Sequence, residues 1–453
     1  MQRADFLRLA SILLSGLGCR PTTSKRDVKR LAVTSVPPGF GFAPAWDING
    51  VIGTGQSLAV GAYGTPLRAT QASLGNLKLD LGGYFSPAAE PDDPRLQLVP
   101  LCEPIRRLAS HYPGAYPRNV FGETPHTAMA SQITRLFLEK TAGAGDYVTS
   151  HSVVGESGQA MRVIAKGAAP SDDSGRAYAA SLFEARVLAR LARDAGRTFG
   201  VAAVVLTHGE SDAESPTYGQ ELLTLARDYD SDLRRITGQS QPVLLLATQQ
   251  SSCPSTPSAL ALSSLQLLAA SESAPERIVC VGPKYQLPYI DDGVHLSALG
   301  YDQLGEKYGQ VYFERVVCGR DWLPLAPRDV TRSGRVIEVE FHVPVPPLRW
   351  DAAFVTSPAA RPEWDKGRGF ELAGGDVPVV IEEVTLARTS AKIRYSGEPA
   401  GPLRLRYAQS AVRAKGPKAC WRVGALCDSD PFVGVLTKLP QPNYAVMFER
   451  SVA

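Results

Sequence analysis

From Val51 onward, short apolar runs alternate with amphipathic stretches, the pattern of strands that each feed a helix in an α/β sheet. Five runs have the length and apolar character of buried strands: residues 51–55, 146–154, 201–207, 242–248 and 277–282. The stretches between them predict helices. Thr124 and Pro125 supply a cap and a first-turn proline, and Met129, Ile133, Leu136 and Phe137 follow at helical spacing. Residues 178–195 put Leu182, Ala185, Leu188, Ala189 and Ala192 on one face and leave Arg186, Arg190 and Arg193 as a solvated face. Further helices are expected after Pro216, Pro257 and Ser297. Residues 58–118 show no strong period and read as elaborated loops. After Trp322 the character changes: the runs 336–341, 377–384, 391–395 and 403–407 favour β structure and are separated by Gly, Pro and Ser.

At 453 residues the chain exceeds what one hydrophobic core ordinarily serves, so the pattern divides into an α/β part, 49–320, and a smaller β-rich domain, 321–453. Residues 20–48, rich in Ser, Thr, Pro and Gly, read as a linker. Before it, Arg3 and Arg8 precede an apolar stretch, 9–17, too short to span a bilayer, which ends in Gly18-Cys19. Residues 1–19 are therefore expected to be an export signal. Its end resembles that of a bacterial lipoprotein signal, although Gly16 and Asp5 depart from that pattern. The expected location is the cell envelope or the medium, with membrane attachment only through a lipid on Cys19.

The balance of 48 basic against 45 acidic residues builds no broad positive field, which argues against nucleic acid as a partner. Six cysteines remain beyond Cys19, none in C-x-x-C spacing, so no structural zinc is expected. Cys420 and Cys427 are near enough to close a small loop, and six buried thiols are the alternative.

Three short motifs carry chemistry. Gly53-Thr54-Gly55-Gln56-Ser57 ends the first run, where glycines permit a sharp turn and Ser57 would present its hydroxyl at the carboxyl edge of the sheet. Asp292-Gly293-Val294-His295 places a carboxylate three residues before an imidazole, so Asp292 can hold one ring nitrogen while the other takes the serine proton. His208-Gly209-Glu210-Ser211-Asp212 follows the third run at the same edge. Its spacing fits no common zinc pattern, and neither a metal nor another cofactor is expected. Alone, the first is a common turn and the second an Asp-Gly turn before a capped helix; their order along the chain is what tells.

That order resembles the SGNH hydrolases, in particular the sialate O-acetylesterase-like and related carbohydrate acetylesterases. Gly55-Gln56-Ser57 is similar to their nucleophile block, Gly155 to their oxyanion glycine, 208–212 to their Gln-Gly-Glu-Ser-Asp block and Asp292-Gly293-Val294-His295 to their Asp-x-x-His block. The likeness covers residues 50–315 and, more faintly, 368–407. It implies a flavodoxin-like three-layer sandwich with a parallel five-stranded sheet, and a serine esterase acting on acetyl or other short acyl esters, on carbohydrate above all. Ser57, His295 and Asp292 would be catalytic, and Gln56, Gly155, His208, Glu210 and Ser211 would line the oxyanion and substrate side. Where relatives carry an Asn or Gln side chain for the oxyanion, this chain offers a ring N–H of His208 or the hydroxyl of Ser211, with Glu210 placed to orient His208. A lipid or thioester hydrolase on the same scaffold, and a non-catalytic glycan-binding surface protein, are the rival readings.

Overall fold

The computed structural model describes residues 32–37, 46–72, 74–82, 90–106, 122–168, 176–252, 255–256, 259–352, 364–374, 379–399, 401–409 and 422–452. The expected leader with Cys19, and Cys253 and Cys420, lie outside the described residues. Among the described residues no helix is long and apolar enough to cross a membrane.

The five expected runs form parallel strands. They are β1 (Ile48–Gly55), β4 (Thr149–Gly155), β5 (Phe199–Thr207), β6 (Leu244–Gln249) and β7 (Ile278–Pro283). Every residue in these five strands is buried, as required of a parallel sheet covered on both faces. The sheet has seven strands rather than five, because β2 (Leu77–Asp80) and β3 (Gln97–Pro100) extend it beyond β4 in the order β3-β2-β4-β1-β5-β6-β7. Both come from the segment expected to be loops. Each has only four residues, and β3, antiparallel to β2, forms the sheet's edge, so neither carries a long apolar run.

One face is covered by α1 (Pro125–Lys140) and α6 (Ala298–Tyr312), which pack against each other. The other carries α3 (Arg176–Asp194), α4 (Tyr218–Thr237) and α5 (Leu262–Ser273); a single turn, α2 (Met161–Ile164), precedes α3. The caps predicted from the sequence form: Thr124 Oγ1 accepts from the His126 amide at 3.3 Å, and Ser297 Oγ from the Gly300 amide at 3.2 Å. The chain runs from β1 to β4 on one side and returns from β4 to β5 on the other. This leaves a crevice at the carboxyl end of β1, where ligands bind in open α/β sheets.

The β-rich tail forms a four-stranded sheet, a three-stranded sheet and a two-stranded ladder. In β8 (Val336–His342) and β9 (Ser390–Ser396) burial alternates, so Ile337, Val339, Phe341, Ile393 and Tyr395 face inward. These residues belong to the same continuous cluster of buried side chains as Val51 and Ile52 of β1. Polar contacts reinforce the join. Gln249, at the end of β6, exchanges two hydrogen bonds with the backbone of Met447, at 2.9 and 2.7 Å, and Tyr285 donates to the Ala445 carbonyl at 2.6 Å. Glu306 of α6 accepts from the Leu436 and Thr437 amides and from the Thr437 hydroxyl. At the other end, Thr34 and Ser35, within the stretch read as a linker, bond to Asn49 and Val148 and to Asp146.

Cys427 is a buried free thiol, its pKa pushed up to about 12 by burial, and the partner expected for it, Cys420, lies outside the described residues. Cys280 and Cys318 are also free and buried.

Candidate active site

Gly55 closes β1 at φ +137°, and a side chain there would collide with the Thr207 carbonyl. That freedom turns the chain so that Ser57 opens the next segment, with the Ala59 amide donating to the Gln56 carbonyl and the Ala62 amide to the Ser57 carbonyl. Ser57 is 7% exposed, and its own N–H meets no acceptor among the described residues. His295 arrives from the loop between β7 and α6, two residues before the Ser297 cap. The loop is closed by a bridge between Tyr289 and Leu296, by the Ile290 amide on the His295 carbonyl and by the Gly293 amide on the Ile290 carbonyl.

This brings Ser57, His295 and Asp292 together. His295 Nε2 lies 2.8 Å from Ser57 Oγ, and His295 Nδ1 lies 2.6 Å from Asp292 Oδ2. The other carboxylate oxygen, Oδ1, accepts the amides of Val294 and His295, both at 2.9 Å. An ionised carboxylate only accepts, so Nδ1 carries the proton and the Nε2 lone pair faces the serine. Burial raises the Asp292 carboxyl, but the His295 amide, the imidazole and the Val294 amide outweigh it and hold it below the usual carboxylate value. Tyr63 completes the wall: its ring centre is 4.8 Å from that of His295, it is 47% exposed, and it holds a φ of +63°, strained for a residue with a side chain.

Gly155 is the last residue of β4 and the register partner of Gly55. A Cβ there would fall 2.9 Å from the Gly55 carbonyl oxygen and 3.1 Å from that of Gln56. Its lack of a side chain therefore lets the nucleophile turn sit against β4.

The third block departs from expectation at His208 and Glu210, and the first block at Gln56. His208 is not poised as an oxyanion donor, because both ring nitrogens are engaged: Nε2 with the Gln159 carbonyl at 2.9 Å and Nδ1 with the Tyr218 hydroxyl at 3.2 Å. Burial lowers its pKa, so the ring stays neutral, donating from Nε2 and accepting at Nδ1. Glu210 does not orient His208; it binds the Gln56 side-chain amide at 2.9 Å and pairs with buried Lys284. Gln56, 2% exposed, faces neither oxyanion nor substrate, since its Nε2 donates to Glu210 and its Oε1 accepts the Ser211 amide at 3.3 Å. Ser211 is exposed, and its hydroxyl is the block's remaining candidate donor. Asp212 accepts the Met161 amide at 2.6 Å. The block thus works as a clamp: Glu210 and the Ser211 amide hold the nucleophile turn, while His208 and Asp212 hold the loop after β4. Sequence reasoning missed Lys284, Gln159 and Tyr218; a lysine directly after an apolar strand is the one signal available for the first.

Among the described residues no group of His, Cys, Asp and Glu is arranged to hold a metal ion.

A mostly parallel sheet between two helical layers is the fold of the SGNH esterase structures, and in this chain Ser57, His295 and Asp292 meet at its switch point. A carbohydrate acetylesterase from Xanthomonas citri matches it with a TM-score of 0.50 and 14% sequence identity, over 88% of this chain and 80% of that one. That coverage extends beyond the parallel sheet into the β-rich tail. A protein of Arabidopsis thaliana matches at TM-score 0.40 and 16% identity, over 59% of this chain and 98% of that one. A carbohydrate acetylesterase from Sinorhizobium meliloti matches at 0.32 and 14%, over 58% and 97% respectively. No protein-family model and no curated protein matches the sequence.

Proposed function

We propose that this protein is a serine carboxylic ester hydrolase that removes acetyl or other short acyl groups from carbohydrate. The observation that carries the reading is the hydrogen-bonded line from Asp292 through His295 to Ser57, with the imidazole 2.8 Å from the hydroxyl it would activate. In the first half-reaction His295 Nε2 takes the Ser57 proton as Oγ attacks the ester carbonyl. His295 then returns that proton to the departing sugar oxygen, leaving an acyl-serine. In the second, water attacks the acyl-serine with the same base, and the acid leaves. The open Ser57 amide is the first donor to the oxyanion, and the Ser211 hydroxyl the second.

The preference for carbohydrate is supported by Tyr63, whose exposed ring beside the imidazole offers a flat apolar surface to the C–H face of a sugar, and by the fold shared with a carbohydrate acetylesterase. Acetate release from acetylated xylan, pectin and sialylated substrates, run beside a chain-length series of simple esters, tests it. Release from at least one glycan, with simple-ester rates falling beyond short chains, is the expected result. Rates that rise with acyl length would move the assignment to a lipid or thioester hydrolase.

A further inference from the structure

Beneath the nucleophile turn lies a charge that the acyl-transfer mechanism does not use. Lys284, the first residue after β7, is fully buried, and its ammonium group forms an ion pair with Glu210, whose side chain is 8% exposed. No other acceptor meets this ammonium among the described residues. A buried ion pair contributes little net stability compared with apolar packing, so stability is a weak reason for its presence. What it does appears one bond further on. The second oxygen of Glu210 accepts the Gln56 side-chain N–H at 2.9 Å, and the opposite end of that amide accepts the Ser211 N–H at 3.3 Å. An amide can be turned end for end, and only its partners decide its orientation. An ionised carboxylate cannot donate, so it forces the Gln56 NH2 toward itself and its oxygen toward Ser211. Gln56 is the residue before Ser57, and its own N–H donates to the Thr207 carbonyl of β5.

We propose that Lys284 is a positioning residue: by pairing with one oxygen of the Glu210 carboxylate it holds the other against the Gln56 amide, and so fixes the orientation of Gln56, and through it the place of Ser57 relative to His295 and of the Ser211 segment relative to both. Three strand ends, of β1, β5 and β7, are thereby locked in one register around the serine. The consequence for catalysis rests on the esterase reading; the consequence for geometry does not.

The test compares wild type with Lys284→Met and with Lys284→Met/Glu210→Gln, each checked for folding by circular dichroism and thermal melting. Three quantities are read: kcat and KM for 4-nitrophenyl acetate, and the low-field proton resonance of His295 Nδ1–H, which reports the Asp–His–Ser hydrogen bonds without turnover. Lys284→Met is expected to lower kcat roughly a hundredfold, the loss that a misplacement of about 1 Å produces, with KM nearly unchanged. The His295 resonance should shift or broaden. The double variant, which removes both charges, should regain thermal stability without regaining kcat, because a neutral amide in place of the Glu210 carboxylate no longer dictates the direction of Gln56. If Lys284→Met folds with kcat and the resonance unchanged, or if the double variant recovers kcat together with its melting temperature, the pair is merely structural and the proposal is overturned. Should wild type cleave no ester, the esterase reading falls, and the resonance alone still decides whether Lys284 positions the serine.

Discussion

At the residue scale the geometry turns on which atoms of Asp292 do what. One oxygen is committed to two backbone amides and so shapes the turn; the other holds the imidazole. Asp292→Asn can keep the first role and loses the second, because an amide allows the wrong ring tautomer. It should lower kcat by about 10²–10⁴-fold with the fold retained, measured on a simple acetyl ester. In wild type, acidification that protonates His295 should lower kcat/KM, since only a neutral imidazole can accept the serine proton. A flat profile would argue against His295 as the base. These residues were legible in the sequence because each lies within a few positions of its partner or at a strand end, so a short motif fixes its surroundings. The clamp was not. Lys284 meets Glu210 across β6, and Gln159 meets His208 from another loop, and neither pairing leaves a local pattern.

At the element scale, the segment after Ser57 is anchored by buried carboxylates. Glu123, just before α1, accepts the Arg68 and Ala69 amides, and Arg68 in turn pairs with Asp302 of α6 at 2.5 Å. Burial, with the neighbouring charges of Glu103 and Asp302, pushes the Glu123 carboxyl up to about 9 from an ordinary 4.5. A carboxyl raised in the folded state binds its proton more tightly there than in the unfolded chain. Its stabilising contribution is full below pH about 4.5 and is lost as pH rises toward about 9. Glu123→Gln mimics the protonated form, so its urea midpoint should gain on wild type between pH 7 and pH 9; parallel midpoints would contradict this. The long, apolar elements were legible: five parallel strands, five helices and the four tail runs emerge where the pattern placed them, within a few residues. The short edge strands β2 and β3 were not, since four residues at a sheet edge need little apolar periodicity.

At the scale of the whole molecule, the α/β sheet and the β-rich tail share one buried core, joined by Gln249 on Met447 and by Glu306 on the Thr437 turn. The change of pattern after Trp322 announced a second region but could not announce this join, because the contacts pair residues about 130 to 200 positions apart. The clamp, the anchored loop and the shared core have one consequence: they hold a single serine at the carboxyl edge of β1 in line with a base. That is the central claim, and intact-mass analysis of the full chain after treatment with a serine-reactive phosphonate tests it most directly. One adduct per chain, mapped to Ser57 and absent from folded Ser57→Ala, is predicted; no adduct, or one that persists in Ser57→Ala, would contradict it.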